Sequence, residues 1–185
     1  MKDSSISIQT KLGSSTVVAT HSNTRIRSTV IIAILPFTVA APGMARYDLS
    51  TPEAHCIEAS AERFGIPMPL LTAIRLQEGG TVGRWHVNVD GSIDYGVMQI
   101  NSRWLPQLRP SGYTASVLAY NACASISVGA WILAQSLDEN GVWSTTHATP
   151  ENYWRAVGRY HSRTPSLNRF YAERIWSRYQ REVMP

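Results

Sequence analysis

Leu70-Leu71-Thr72-Ala73-Ile74-Arg75-Leu76-Gln77-Glu78-Gly79-Gly80, with the segment that follows it to Asn101, decides how this chain is read. Pro69 just ahead can open a helix, where its fixed φ and missing N–H do no harm. From there Leu71, Ile74 and Glu78 recur at i, i+3 and i+7, so the spacing predicts a helix with a carboxylate on its apolar stripe. The paired glycines let the backbone turn away directly after the acid, leaving it at the mouth of whatever the helix packs against. A half-desolvated Glu in such a place titrates above its ordinary value of about 4.3, toward roughly 6, which suits a general acid near neutral pH. The bland alternative is a solvated last-turn Glu, or a partner for Arg75 three residues earlier.

Trp85 to Tyr95 alternates apolar and polar residues on both sides of Asp90-Gly91, which predicts a β-hairpin closed by that two-residue turn. Gly96 then breaks the ribbon, and Met98-Gln99-Ile100-Asn101 sets two amides among apolar residues. Half-buried amides need partners. A carbohydrate, with hydroxyls on its rim and apolar C–H faces, supplies them.

The run Leu71 to Gly79, then Asn88, Asp90-Gly91-Ser92, Asp94 and Gly96-Val97-Met98-Gln99-Ile100-Asn101, resembles the soluble lytic transglycosylase domain of bacteria. It is most similar to the small exported members that accompany conjugation and type IV or type III secretion machines. The resemblance continues through Cys123, Ile126 to Ala134, and Ala156-Val157-Gly158-Arg159-Tyr160-His161-Ser162. It implies a mainly α (α+β), lysozyme-like helical domain with a small β-hairpin lining the active-site cleft. It also implies cleavage of the β-1,4 bond between N-acetylmuramic acid and N-acetylglucosamine in peptidoglycan, leaving a 1,6-anhydro ring.

By that resemblance Glu78 is the single catalytic acid. Gln99 and Asn101 line the site and bind sugar amides or hydroxyls, Met98 packs beneath it, and Tyr160 is the late tyrosine whose hydroxyl is expected near the catalytic carboxylate. The alternatives are an amide network that only supports the loop, and a core tyrosine on an inward helix face. Two departures stand beside the site: Gly79 where many relatives have Ser, and His161 where many have Asn, so no role is carried onto His161. Asp90 reads as a turn residue. Asp94 either holds the ribbon's amides or acts as a second carboxylate opposite Glu78, which would make the protein a hydrolytic lysozyme. A third reading keeps the fold without catalysis, as a peptidoglycan-binding assembly factor.

At 185 residues, with 44% hydrophobic and 16% charged residues, the chain fits one globular domain. Its sequence pI of about 9.3 comes largely from the start of the chain. Residues 1–45 hold four cations against one acid, and the remainder holds thirteen arginines against twelve acids. Seven of those arginines crowd the stretch from Arg155 to Arg181, which reads as a solvated helix face before it reads as a nucleic-acid surface. No nucleic-acid partner is expected.

Residues 1–24 are Ser/Thr-rich without apolar period and are expected to be disordered. Arg25 and Arg27, the apolar run Val30 to Val39, and Ala40 to Ala45 then read as an export signal, with the enzyme domain over 46–185 and a periplasmic destination. The flank ahead of the signal is long, so either the functional start lies further along or the segment stays as an anchor. Membrane contact is expected only in the second case.

Thr51, Pro52 and Glu53 open a first helix with Ala54, Ile57, Ala61 and Phe64 inward and Gly65 at its end. Cys56 and Cys123 are the two cysteines, and in an exported chain they read as one disulfide closing the loop that contains Glu78. Two cysteines and scattered histidines make no zinc pattern, so neither metal nor cofactor is expected. Residues 106–116 read as a loop bordering a cleft, and 122–138 as the central buried helix. A helix from Thr149 presents Tyr153, Val157 and Tyr160. Ser166 opens the last, with Leu167, Phe170, Tyr171, Ile175 and Tyr179 inward. The expected partners are peptidoglycan strands and components of a secretion or conjugation machine, met as a monomer.

Overall fold

The computed structural model describes residues 51–143 and 149–183; the Ser/Thr-rich start and the export segment lie outside the described residues. The domain is built on helices α1 (Pro52–Phe64), α2 (Met68–Glu78), α3 (Leu105–Leu108), α4 (Ala115–Tyr120), α5 (Ala122–Glu139), α6 (Pro150–Arg159) and α7 (Pro165–Val183). Between α2 and α3 lies an antiparallel sheet of β1 (Trp85–Val87), β2 (Ile93–Tyr95) and β3 (Ile100–Asn101), in that spatial order. It is the mainly α, lysozyme-like architecture that the sequence implies. Among the described residues no helix is long and apolar enough to cross a membrane.

Local chemistry sets the helix ends. The Thr51 hydroxyl accepts from the Ala54 amide at 3.1 Å and caps α1, while Thr149 does the same for Asn152 and α6. Gly65 ends α1 and Gly79 ends α2 in left-handed conformations, at φ 64° and 63°, which cost glycine little. Pro69 stands in the first turn of α2, one residue inside its start. Arg75 does not reach for Glu78. It forks onto Glu53 of α1, with Nε 2.8 Å from Oε1 and Nη2 3.3 Å from Oε2, and so ties the first two helices together.

The central helix α5 buries Ile126, Val128, Ala130, Ile132, Leu133 and Leu137 against α1, α4 and α6. Leu70, Leu71, Ala73 and Ile74 of α2 are fully buried. Each of the larger side chains contributes about 1.5–3 kcal/mol on removal from water, so this face fixes where the C-terminal end of α2, and therefore Glu78, must lie. A disulfide joins Cys56 of α1 to Cys123 of α5.

Three local expectations are corrected. The hairpin is not closed by a two-residue turn: Val87 pairs with Ile93, leaving five loop residues, in which Asn88 accepts from the Gly91 amide and donates its own to Ser92. Residues 106–116 are not plain loop. Pro106 and Pro110 sit in the first turns of α3 and of a 3-10 turn (Arg109–Ser111), where a missing N–H leaves no bond unmade. On α7, Leu167 and Phe170 are exposed, at 49% and 58%. The buried stripe instead runs Asn168, Tyr171, Ala172 and Ile175, because the Asn168 amide is drawn inward to the carbonyls of Arg155 and Ser162.

Candidate active site

Glu78 is the last residue of α2, half-buried, and the hydroxyl of Tyr171 on α7 donates to its Oε1. Burial pushes its carboxyl up to about 7; the Tyr171 hydrogen bond pulls the other way, and the negative charge of Asp94 adds to the rise. The acid is therefore poised to hold a proton near neutral pH and to release it when a partner demands.

Asp94 sits on β2, cross-strand from Asn101 on β3. Both of its oxygens are occupied by amides: Asn101 Nδ2 donates to Oδ1 at 2.7 Å and Asn88 Nδ2 to Oδ2 at 2.9 Å. The same two amides donate to the Ser92 hydroxyl oxygen, at 2.9 and 3.0 Å, and Ser92 donates onward to Asp90 Oδ1 at 2.7 Å. The Ser92 hydroxyl and backbone amide hold the Asp90 carboxyl below the usual range, with Arg103 adding to the effect at 2.7 Å. Asn88, Ser92, Asp94 and Asn101 thus form one polar cluster spanning the sheet, in which each of the two amides is shared between Ser92 and Asp94.

The turn from Gly96 to Gln99 is pinned between helices. The Met98 amide donates to the Ser125 hydroxyl of α5 at 3.1 Å, and its carbonyl accepts from the Tyr160 hydroxyl at 3.0 Å. Met98 is fully buried. It fits because residue 129 of α5 is glycine: a Cβ there would stand 2.6 Å from Met98 Cε and 2.9 Å from the Tyr160 hydroxyl. Gln99 is the one non-glycine with positive φ among the described residues, at 50°, a strained backbone of the kind that collects at functional sites. Its Nε2 donates to the Gly96 carbonyl at 2.8 Å.

The Tyr160 hydroxyl, expected near the catalytic carboxylate, donates to the Met98 carbonyl while the ring lies close enough to Glu78 to feel its charge. Burial and then the charges of Glu78 and Asp94 push its pKa well above the usual tyrosine value. The tyrosine that reaches Glu78 is Tyr171, which the sequence reading placed only as an inward core residue. Its ring stacks on Tyr160 (centroids 6.3 Å apart) and on His161 (5.1 Å). The available signal was chemical rather than periodic, since a buried tyrosine hydroxyl needs a partner. Ser92 and Ser125 were missed for the same reason. Among the described residues no group of three metal-ligating side chains comes together.

A small antiparallel sheet beside a half-desolvated glutamate at a helix end places this domain in the lysozyme-like class. The chain belongs to the transglycosylase SLT domain family, whose pattern matches residues 55–173. It is 35% identical to protein IpgF of Shigella flexneri over 133 residues, 69% of this chain and 81% of that protein. It is 33% identical to the invasion protein IagB of Salmonella typhimurium over 141 residues, 72% of this chain and 80% of that protein.

Proposed function

We propose that this protein is a peptidoglycan lytic transglycosylase in which Glu78 is the only catalytic acid. The observation that carries this reading is the contrast between two carboxylates. Glu78 is half-buried with its pKa raised to about 7, whereas both oxygens of Asp94 are engaged by Asn88 and Asn101. In the proposed reaction Glu78 donates its proton to the glycosidic oxygen as the bond from the muramoyl anomeric carbon breaks. The resulting carboxylate takes the proton of the muramoyl 6-hydroxyl while that oxygen bonds to the anomeric carbon, closing a 1,6-anhydro ring and restoring the acid. Water does not enter.

Gln99 and Asn101 are proposed as sugar contacts, Met98 as the floor, and Tyr160 as the support of the turn that carries them. Asn101 already serves Asp94, Ser92 and the Arg103 amide, so much of its role is internal support. The likeness to a protein named for invasion supports a setting in which the enzyme opens the wall locally for a secretion or conjugation apparatus. The disulfide supports an exported, periplasmic destination.

The test is a digest of purified peptidoglycan by wild type and by Glu78→Gln, read by mass spectrometry. Muramoyl ends lighter by one water, absent from the variant digest, are expected. Reducing ends would assign a hydrolase in which Asp94 is the second carboxylate. Its charge acts on Glu78, which is what keeps that second reading testable.

A further inference from the structure

His161 is one of the two departures beside the site, and no step of the reaction above uses it. Its imidazole is exposed, yet it lies flat on the ring of Tyr171, with centroids 5.1 Å apart and planes 7° from parallel. Tyr160 stacks on the same tyrosine at 6.3 Å and 17°. Tyr171, the ring they share, is the one whose hydroxyl donates to Glu78. Two contacts, a ring stack and a hydrogen bond, thus connect His161 to the acid. The backbone under His161 is fixed independently of its ring. The Gly158 carbonyl, in the last turn of α6, accepts from the amides of both His161 and Ser162, each at 3.2 Å. The Ser162 carbonyl in turn accepts from Asn168 Nδ2 of α7 at 3.1 Å. Gly158 lets α7 come this close, since a Cβ there would collide with the Asn168 carbonyl. The turn therefore delivers the imidazole to a set place. Among the described residues that imidazole makes no hydrogen bond or ion pair, and what it meets is the face of Tyr171.

Resting on the transglycosylase reading above, we propose that His161 is a positioning residue, whose ring pins Tyr171 from the solvent side and so keeps the tyrosine hydroxyl on the carboxyl of Glu78. The hydroxyl lies at the far end of its side chain, so a small swing about χ1 carries it out of hydrogen-bond range. A flat ring stacked on the open side removes that freedom, in the offset arrangement that aromatic pairs favour. Tyr160 cannot take over the role of Tyr171, because its own hydroxyl is committed to the Met98 carbonyl. Burial, and then the charges of Glu78 and Tyr160, push the Tyr171 pKa well above the usual tyrosine value, so its hydroxyl keeps the proton it donates. The ionisable groups acting on the stacked tyrosines are Glu78 of α2, Asp94 of β2 and Tyr160 itself. Arg159 and Arg163, two positions to either side of His161, are turned instead to Glu139 of α5.

The experiment is a double-mutant cycle of His161→Ala and Tyr171→Phe, with His161→Phe as the conservative variant. Two quantities are read: kcat and KM on purified peptidoglycan, and the pH midpoint of the Glu78 carboxyl. The midpoint is followed by carboxyl-region NMR of glutamate-labelled protein, its resonance assigned by absence from Glu78→Gln. His161→Ala alone is expected to lower kcat about fivefold with KM within about twofold, the scale of one aromatic pair. It should also move the carboxyl midpoint up, in the direction of Tyr171→Phe, because the donor that favours the charged form is loosened. Added to Tyr171→Phe, the same change should alter neither quantity, and His161→Phe should keep both near wild type. Equal losses with and without the Tyr171 hydroxyl overturn the proposal, since a residue that only supports the fold costs the same in both. So does a rise in KM with kcat kept, the mark of a direct sugar contact, or a His161→Phe variant that behaves like His161→Ala. A carboxyl midpoint that stays in place or moves down overturns it too, because the ring would then do no more than keep water out. A wild type that cleaves no peptidoglycan overturns the enzymatic reading alone, and the carboxyl midpoints then decide the stack.

Discussion

The hydroxyl of Tyr171 donates to the carboxylate of Glu78 across 93 positions of sequence, joining the end of α2 to the inward face of α7. This contact opposes the burial that raises the acid, since a donor favours the charged form. It holds the carboxyl in one orientation and keeps its proton from becoming too tightly bound to give up.

Removing that hydroxyl should therefore move the pH profile. The alkaline limb of kcat/KM for Tyr171→Phe is expected above that of wild type, because Glu78 loses the donor that lowers its pKa. The ring stays packed between Tyr160 and His161, so the fold should hold with a stability loss of about 1 kcal/mol for the lost hydrogen bond. An alkaline limb that stays in place would mean that the hydroxyl does not act on the catalytic acid.

Glu78→Gln tests the acid twice. As catalyst, Gln neither gives nor takes the proton, and activity should fall by at least roughly a hundredfold. As part of the fold, the buried acid keeps its proton up to about pH 7, while in the unfolded chain it does so only to about 4.3. Between these values the folded state binds the extra proton, so stability falls as pH rises through the window and stays lower above it. The separation corresponds to about 4 kcal/mol at most. Denaturant melts should find Glu78→Gln more stable than wild type at pH 8 and no more stable at pH 4.

The place of Glu78, half-buried at a helix end, was legible in the sequence because one helix carries all of its signal: an apolar stripe interrupted by Glu78, closed by Gly79. The stem helices were legible too, through caps such as Thr51 and Thr149. What escaped were relations made by tertiary packing. Tyr171 sits on the same stripe as any core residue, and periodicity reports that it is buried without saying what its hydroxyl meets. Leu167 and Phe170 were misplaced because the pattern gives an apolar residue priority over a polar one. Asn168 lies inside instead, satisfied by two backbone carbonyls. The five-residue hairpin loop was hidden behind a strong Asp-Gly signal, because Asn88, Ser92 and Asp94 join a network with Asn101 that no local rule describes.

Reduction offers a test of the scaffold apart from the chemistry. Cys56 and Cys123 are 67 positions apart, and closing a loop of that length removes roughly 4 kcal/mol of chain entropy from the unfolded state. The Cys56→Ser/Cys123→Ser variant should lose 2–5 kcal/mol in chemical denaturation. Below its unfolding temperature it should keep its activity, since neither cysteine lies in the active site. Unchanged stability would show that the bond contributes nothing beyond the packing of α1 on α5.

Asp94→Asn separates the two chemistries that a lysozyme-like site can support. If Glu78 works alone, the loss of Asp94 acts indirectly through two routes that can be read apart. An amide at position 94 offers one acceptor where there were two, so either the Asn88 or the Asn101 contact breaks and the polar cluster loosens. The removed charge also no longer raises Glu78, so the alkaline limb of the pH profile should move to lower pH. Activity should fall several-fold through the loosened cluster, and the muramoyl ends released should still be the lighter 1,6-anhydro form, because no step of that reaction passes through Asp94. If instead Asp94 is a working second carboxylate, wild type releases reducing ends and the Asn variant loses hydrolysis by a hundredfold or more, with no shifted limb left to measure. Mass spectrometry of the two digests, run beside their pH profiles, distinguishes these outcomes.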